Sequence, residues 1–128
     1  MLVNGSNDFE NALAAMAKAE AQAVVVQGLF DPHRVVLLQL AAKYRLPIMA
    51  PSRDTAAAGG LISYVAKYSA LYERAAFYIG KILKGAKAAD LPVEQPTTFE
   101  LVVNMKTAQE LGLTPSSSLL AQADEMIG

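Results

Sequence analysis

Arg53 and Asp54 follow the short apolar run Pro47-Ile48-Met49-Ala50, and an arginine in that place can grip a carboxylate through two parallel N–H bonds. The segment Gln27 to Asp31 holds the same place after Ala23-Val24-Val25-Val26. In open α/β sheets ligands collect outside the carboxyl ends of the strands, so Gly28, Leu29, Phe30, Asp31, Arg53 and Asp54 are candidate ligand-binding residues. The competing reading of Arg53 and Asp54 is a surface ion pair, which adds little stability. His33 and Arg34 follow Asp31-Pro32 in what reads as a first helical turn, where free N–H groups can receive an anion, although a solvent-facing histidine is the commoner occupant of such a position. Tyr64 joins the candidates as an aromatic with a polar tip, whereas Tyr78 reads as core.

Other chemistries are excluded by residue type or order. Gly59-Gly60 precedes an apolar run, whereas a phosphate-binding glycine loop follows a strand and opens a helix, so the pair reads as a tight turn into a strand. No serine lies in a G-x-S-x-G elbow, and those before helices are explained as caps. With no cysteine and one histidine, thiolate chemistry, disulfides and multi-histidine metal sites are excluded, and no cofactor is implied.

Eleven basic and twelve acidic residues lie scattered for a net charge of −1, without the electrostatic footprint that nucleic acid or an acidic membrane requires. The apolar share of 53% against 18% charged residues indicates a globular domain whose surplus of apolar side chains is normally covered. The longest apolar run, Val35 to Ala42 with one glutamine, is far short of the roughly 20 residues that span a bilayer. The opening MLVNGSNDFE lacks the basic-then-apolar order of a secretion signal.

The elements that position the candidates alternate. Asn7 and Glu10 read as a helix start over about 8–21, and Ala23 to Gln27 as a strand buried on both faces. Asp31 reads as an N-cap, with Pro32 at the first position of a helix through Tyr44. Pro47 to Ala50 is a second strand, Ser52 to Gly60 a loop, and Leu61 to Val65 a third strand. Ser69 is expected to cap a helix from Ala70 to Lys84 that Gly85 ends, with Leu71, Ala75, Tyr78, Ile79 and Ile82 as its buried stripe. An extended connection over 86–96 leads to a fourth strand in TFELVVN, a short helix closed by Gly112, and a last helix over 116–127. This alternation predicts an α/β fold: a mostly parallel sheet with flanking helices.

Gly59-Gly60-Leu61-Ile62-Ser63-Tyr64, then ILKGAKAADLPVEQP over 82–96, then FELVVN over 99–104 carry a family resemblance. In these pieces, and over nearly its whole length, the chain resembles the C-terminal part of ABC-type transport substrate-binding proteins related to tryptophan- and tyrosine-binding components. The resemblance implies part of a two-lobe, type I periplasmic-binding-protein-like fold. Residues 1–58 would be a second-lobe α/β portion, 59–97 a crossing strand, helix and extended connection of the first-lobe type, and 98–128 a return strand with C-terminal helices. The implied function is that of a solute-binding component of an ABC importer, or its C-terminal fragment. It would not be an enzyme; it would be extracytoplasmic and would serve an ABC permease. Its small-molecule ligand would be an amino acid or aromatic carboxylate, and the isolated chain would form a homo-oligomer. Two alternatives remain: a truncated, self-associating fragment that binds no ligand, and a small flavodoxin-like nucleotide-binding module.

Overall fold

The computed structural model describes Val3 and residues 5–128, which divide into two compact units: residues up to 65 together with 101–128, and residues 66–100. Five strands, β1 (Val24–Val25), β2 (Ile48–Ala50), β3 (Ile62–Ala66), β4 (Phe99–Asn104) and β5 (Glu125–Ile127), form one sheet in that order. β1 with β2, β2 with β3 and β4 with β5 are parallel. β3 and β4 run in opposite directions, because Lys67 N–H donates to Thr98 O and Asn104 N–H to Leu61 O, each at 2.9 Å, so one residue number rises as the other falls. The sheet is thus mostly parallel, as the apolar runs predict.

The first unit carries α1 (Phe9–Lys18), α2 (Arg34–Lys43), α3 (Arg53–Ala57), α5 (Met105–Leu111) and α6 (Ser117–Leu120); the second carries α4 (Tyr68–Leu83). Phe9, Ala12 and Leu13 recur at helical spacing and turn one face of α1 inward, and Leu37, Leu38 and Ala41 do so for α2. Phe9, Leu13, Leu37, Leu38 and Ala41 pack with Val26, Leu46 and Ile48 into the main core, and the Phe9 ring meets Phe30 edge to face at 5.4 Å. A second cluster joins Ala50, Ala56 and Val102, with Ile127 against it. Four helices close through the same bond, from the residue after a left-handed one back to a carbonyl five positions earlier: Ala21 to Met16, Leu46 to Ala41, Ala86 to Lys81 and Leu113 to Ala108. The left-handed residue this closure requires is Gly85 or Gly112 in two cases, but Glu20 and Arg45 in the others.

Several local expectations are corrected. Residues 53–57 are helical and not loop, because Ser52 Oγ accepts the Thr55 N–H as an N-cap. Asp31 caps no helix: Gly28–His33 is a 3-10 segment and α2 begins only at Arg34. Ser69 lies inside α4, whose N-cap is Lys67, and α1 starts without a side-chain cap. Beyond α6 the chain forms β5 instead of extending the last helix, since pairing with β4 satisfies its backbone and seats Ile127 on the second cluster. The stripe expected on α4 is not buried: Leu71 and Tyr78 are half-buried, and Ala75, Ile79 and Ile82 are exposed.

The buried amide of Asn104 ties the first unit together. Its Nδ2 donates to Ala56 O at 2.8 Å, its Oδ1 accepts the Thr107 N–H at 2.9 Å as the cap of α5, and its own N–H reaches Leu61 O. Gly60 passes so close that a Cβ there would lie 3.0 Å from both Thr55 O and the Ala50 Cβ, which explains the second glycine of the pair. Asn104→Ala removes the cap of α5 and the Nδ2 bond to the Ala56 carbonyl, which keeps only the Gly59 N–H, and is expected to lower unfolding free energy by about 1–3 kcal/mol in urea denaturation. Asn104→Asp keeps the cap acceptor but sets a carboxylate against Ala56 O, so it should recover none of that loss; full recovery would remove Nδ2 as the tie.

Candidate functional site

β1, β2 and β3 are adjacent and parallel, so their carboxyl ends share one edge of the sheet, and the Gly28–His33 segment and the Ser52–Arg53 turn leave from it. Asp31, half-buried, links the two. Ser52 Oγ lies 3.1 Å from Asp31 Oδ1 and 3.1 Å from Thr55 Oγ1, and the Thr55 hydroxyl donates to the same Asp31 oxygen. Thr55 is buried, so the carboxylate holds the end of β1 against the start of α3. Ser52 and Thr55 were not among the sequence candidates; the signal that finds them is the Ser-x-x-Thr spacing of a helix cap in a stretch read as loop.

The other candidates separate into three places. Leu29, 76% exposed, and the half-buried Phe30 line an apolar groove of about 330 Å³ with Phe9, Met16, Val24 and Val25. Gly28 opens that segment, and a Cβ there would meet nothing. Arg53, on the first turn of α3, donates from Nε and Nη2 to both carboxylate oxygens of Glu125 at 2.7 and 2.6 Å, and its Nη1 is 3.7 Å from the exposed Asp54. The Arg53 guanidinium holds Glu125 below the ordinary carboxylate value. Tyr64, on β3, is 53% exposed. The structure therefore brings Asp31 together with the turn that carries Arg53, and gives Arg53 a partner 72 positions away that no local pattern announces. Among the described residues no cluster of His, Asp and Glu has the makings of a metal site.

One buried polar atom of this region has no hydrogen-bond partner among the described residues: Ser63 Oγ, in β3 opposite Ala50 of β2. Nothing in the structure explains its hydroxyl.

A family described as ABC transporter substrate binding protein matches residues 1–127. No curated protein matches the sequence. Among solved structures, an ABC domain in complex with L-Trp from Streptococcus pneumoniae is 28% identical and superposes with a TM-score of 0.85, over 98% of this chain and 44% of that one. A conserved domain protein from Vibrio cholerae O1 biovar El Tor has a TM-score of 0.85 at 21% identity, over 97% of this chain and 42% of that one. The ligand-free, open form of a substrate binding protein with adhesive properties from Clostridium difficile has a TM-score of 0.68 at 18% identity, over 98% and 42%. The last two show likeness of fold. The chain spans 42–44% of the length of these solved structures.

Two outcomes follow from the geometry. Asp31→Ala is expected to destabilise the chain by about 1–3 kcal/mol by urea denaturation, and by much less when Ser52→Ala and Thr55→Val are already present, because one network is removed only once. Equal losses in both backgrounds would dissolve the link. Glu125 has a lowered folded pKa, so the Arg53 pair stabilises the fold above the unfolded carboxylate's value and is lost as pH falls through the folded one. Glu125→Gln should therefore flatten stability against pH below about 4.5, the ordinary value, and leave its slope near neutrality unchanged.

Proposed function

The chain belongs to the ABC transporter substrate-binding protein family, and from that premise we propose that it forms one side of a small-molecule site in the solute-binding component of an ABC importer. The observation that carries the reading is the family match over 1–127 in a chain whose three parallel strands end on one edge. The complex of the 28% identical pneumococcal structure with L-Trp supports an amino acid or an aromatic carboxylate as the ligand class. In this proposal residues 1–58 and 98–128 belong to the second lobe, and 59–97 supply a crossing strand, helix and connection to the first. Lobes close on the ligand, the closed state is favoured by contacts that only it makes, and the permease reads that state. The component works outside the cytoplasm and makes and breaks no covalent bond.

Each candidate then has a role. Gly28, Leu29 and Tyr64 offer the surface that meets the ligand, the last two through exposed apolar or aromatic area. Phe30, seated on Phe9, and Asp31, bonded to Ser52 and Thr55, hold the segment that carries Gly28 and Leu29 in place. Arg53 receives the ligand carboxylate, with Glu125 as the internal anion it exchanges, and Asp54 lies beside it.

Calorimetry with L-tryptophan and the other amino acids, on a protein that carries this chain with a complete first lobe, tests the proposal. Binding of one ligand per protein is expected, Arg53→Ala weakening it by at least about 1.5 kcal/mol and Glu125→Gln strengthening it by removing the competitor. No heat with any amino acid or aromatic carboxylate would sink the ligand class. Unchanged affinity in both variants would leave Arg53 as a residue of the fold alone.

A further inference from the structure

Four carboxylates of the chain stand against a cation: Glu10 and Lys43 at 2.5 Å, Glu94 and Arg74 at 2.5 Å, Glu125 and Arg53 at 2.6 Å, and Asp54 and Arg53 at 3.7 Å. Asp31 is half-buried and has no such pair among the described residues. Arg34, three positions on, turns its Nη1 to the Asp31 backbone carbonyl at 3.5 Å. The Ser52 hydroxyl at 3.1 Å and the Thr55 hydroxyl both use Oδ1, and Oδ2 accepts no hydrogen bond from the described residues. An ionised carboxylate has about four acceptor sites, two on each oxygen, so half of this one is unused where water is partly excluded. Two neutral hydroxyls do not cancel its charge, and a carboxylate removed from water without a cation is costly. The side chain is therefore matched to a cation brought from outside the fold.

Its place says what kind of cation. Ser52 bonds Asp31 and directly precedes Arg53, so the acid and the arginine are based side by side on the edge where β1, β2 and β3 end. In this form the Arg53 guanidinium is committed through Nε and Nη2 to Glu125. An α-amino acid carries its ammonium and its carboxylate on one carbon. It can meet Asp31 and Arg53 together, and it adds no net charge to a site that closes around it. A carboxylate without the amino group would answer Arg53 alone and shut Asp31 away from water unpaired, a loss that falls only on the wrong ligand.

We propose that Asp31 sets the specificity of this site: Oδ1 anchors the segment to Ser52 and Thr55, and Oδ2 receives the α-ammonium of the ligand. The site then takes α-amino acids and discriminates against carboxylates that lack the amino group. This rests on the reading of the site under Proposed function and narrows its ligand class to one of the two given there.

Calorimetry on a protein that carries this chain with a complete first lobe tests the assignment. L-tryptophan and L-phenylalanine are each compared with the same molecule without its amino group, indole-3-propionate and 3-phenylpropionate. The amino acid of a pair should bind at least about tenfold more tightly, the step of one charge-assisted hydrogen bond. Asp31→Asn keeps an oxygen for the Ser52 and Thr55 hydroxyls and sets an amide NH2 in place of Oδ2. It should reduce that preference to about parity while its urea midpoint stays near that of the unsubstituted protein. If Asp31→Asn fails to fold, the carbon-13 resonance of the Asp31 carboxyl in the unsubstituted protein decides, and it should move with L-tryptophan and not with indole-3-propionate. The same preference in both proteins, equal affinities within each pair, or a carboxyl resonance indifferent to the amino group would overturn the inference and leave the reading of the site intact. No heat from any of the four compounds would overturn that reading and the inference with it.

Discussion

The first unit depends on one buried amide. Asn104 stands at the end of β4, where three elements need a polar partner at once: the last turn of α3, the start of β3 and the unbonded N–H groups that open α5. A side chain with one donor and one acceptor, fixed on a strand, satisfies two of them, and the backbone N–H of the same residue satisfies the third. Few residues could replace it, because an acid lacks the donor and an aliphatic lacks both donor and acceptor. The low dielectric around the amide strengthens these bonds and makes each of them costly to lose.

The position of α3 follows from that tie, and with it the edge of the sheet that carries the proposed site. Asn104 holds the far end of α3 through Ala56, while Asp31 holds its near end through Ser52 and Thr55. A five-residue helix has almost no stability of its own, so these attachments give it a definite place. Arg53 inherits a fixed starting point and spans to Glu125, where it also pins the three-residue edge strand β5. A site built this way is rigid on the α3 side, and the segment that presents Gly28 and Leu29 is steadied by the Phe30 and Phe9 rings.

The second unit is organised on the opposite principle. Its 35 residues place one long helix over an extended segment, held by the Arg74–Glu94 pair and the Tyr78 hydroxyl, and α4 contributes no buried side chain to a core. So small a piece cannot offset the entropy of its own ordering by burial within itself. Among the described residues the apolar face of α4, with Tyr72, Ile79 and Leu83, therefore stands exposed.

The sequence by itself determined the kind of elements and most of their order, because those depend on neighbours. Apolar runs bounded by glycine and proline announced β1 to β4, helical spacing announced α1, α2, α4 and α5, and Gly85 and Gly112 announced where two helices stop. The motifs over 59–64, 82–96 and 99–104 announced the family as well. Tertiary structure alone decided three further matters. It made 125–127 a strand, since a strand draws its hydrogen bonds from another segment and β4 offered a free edge. It turned Asp31 from an expected cap into a bridge, and gave Arg53 a partner 72 positions away, because side-chain pairing follows distance in space and not along the chain. It also left the α4 stripe in the open: periodicity says that a helix has an apolar face, but whether that face is covered depends on what packs against it.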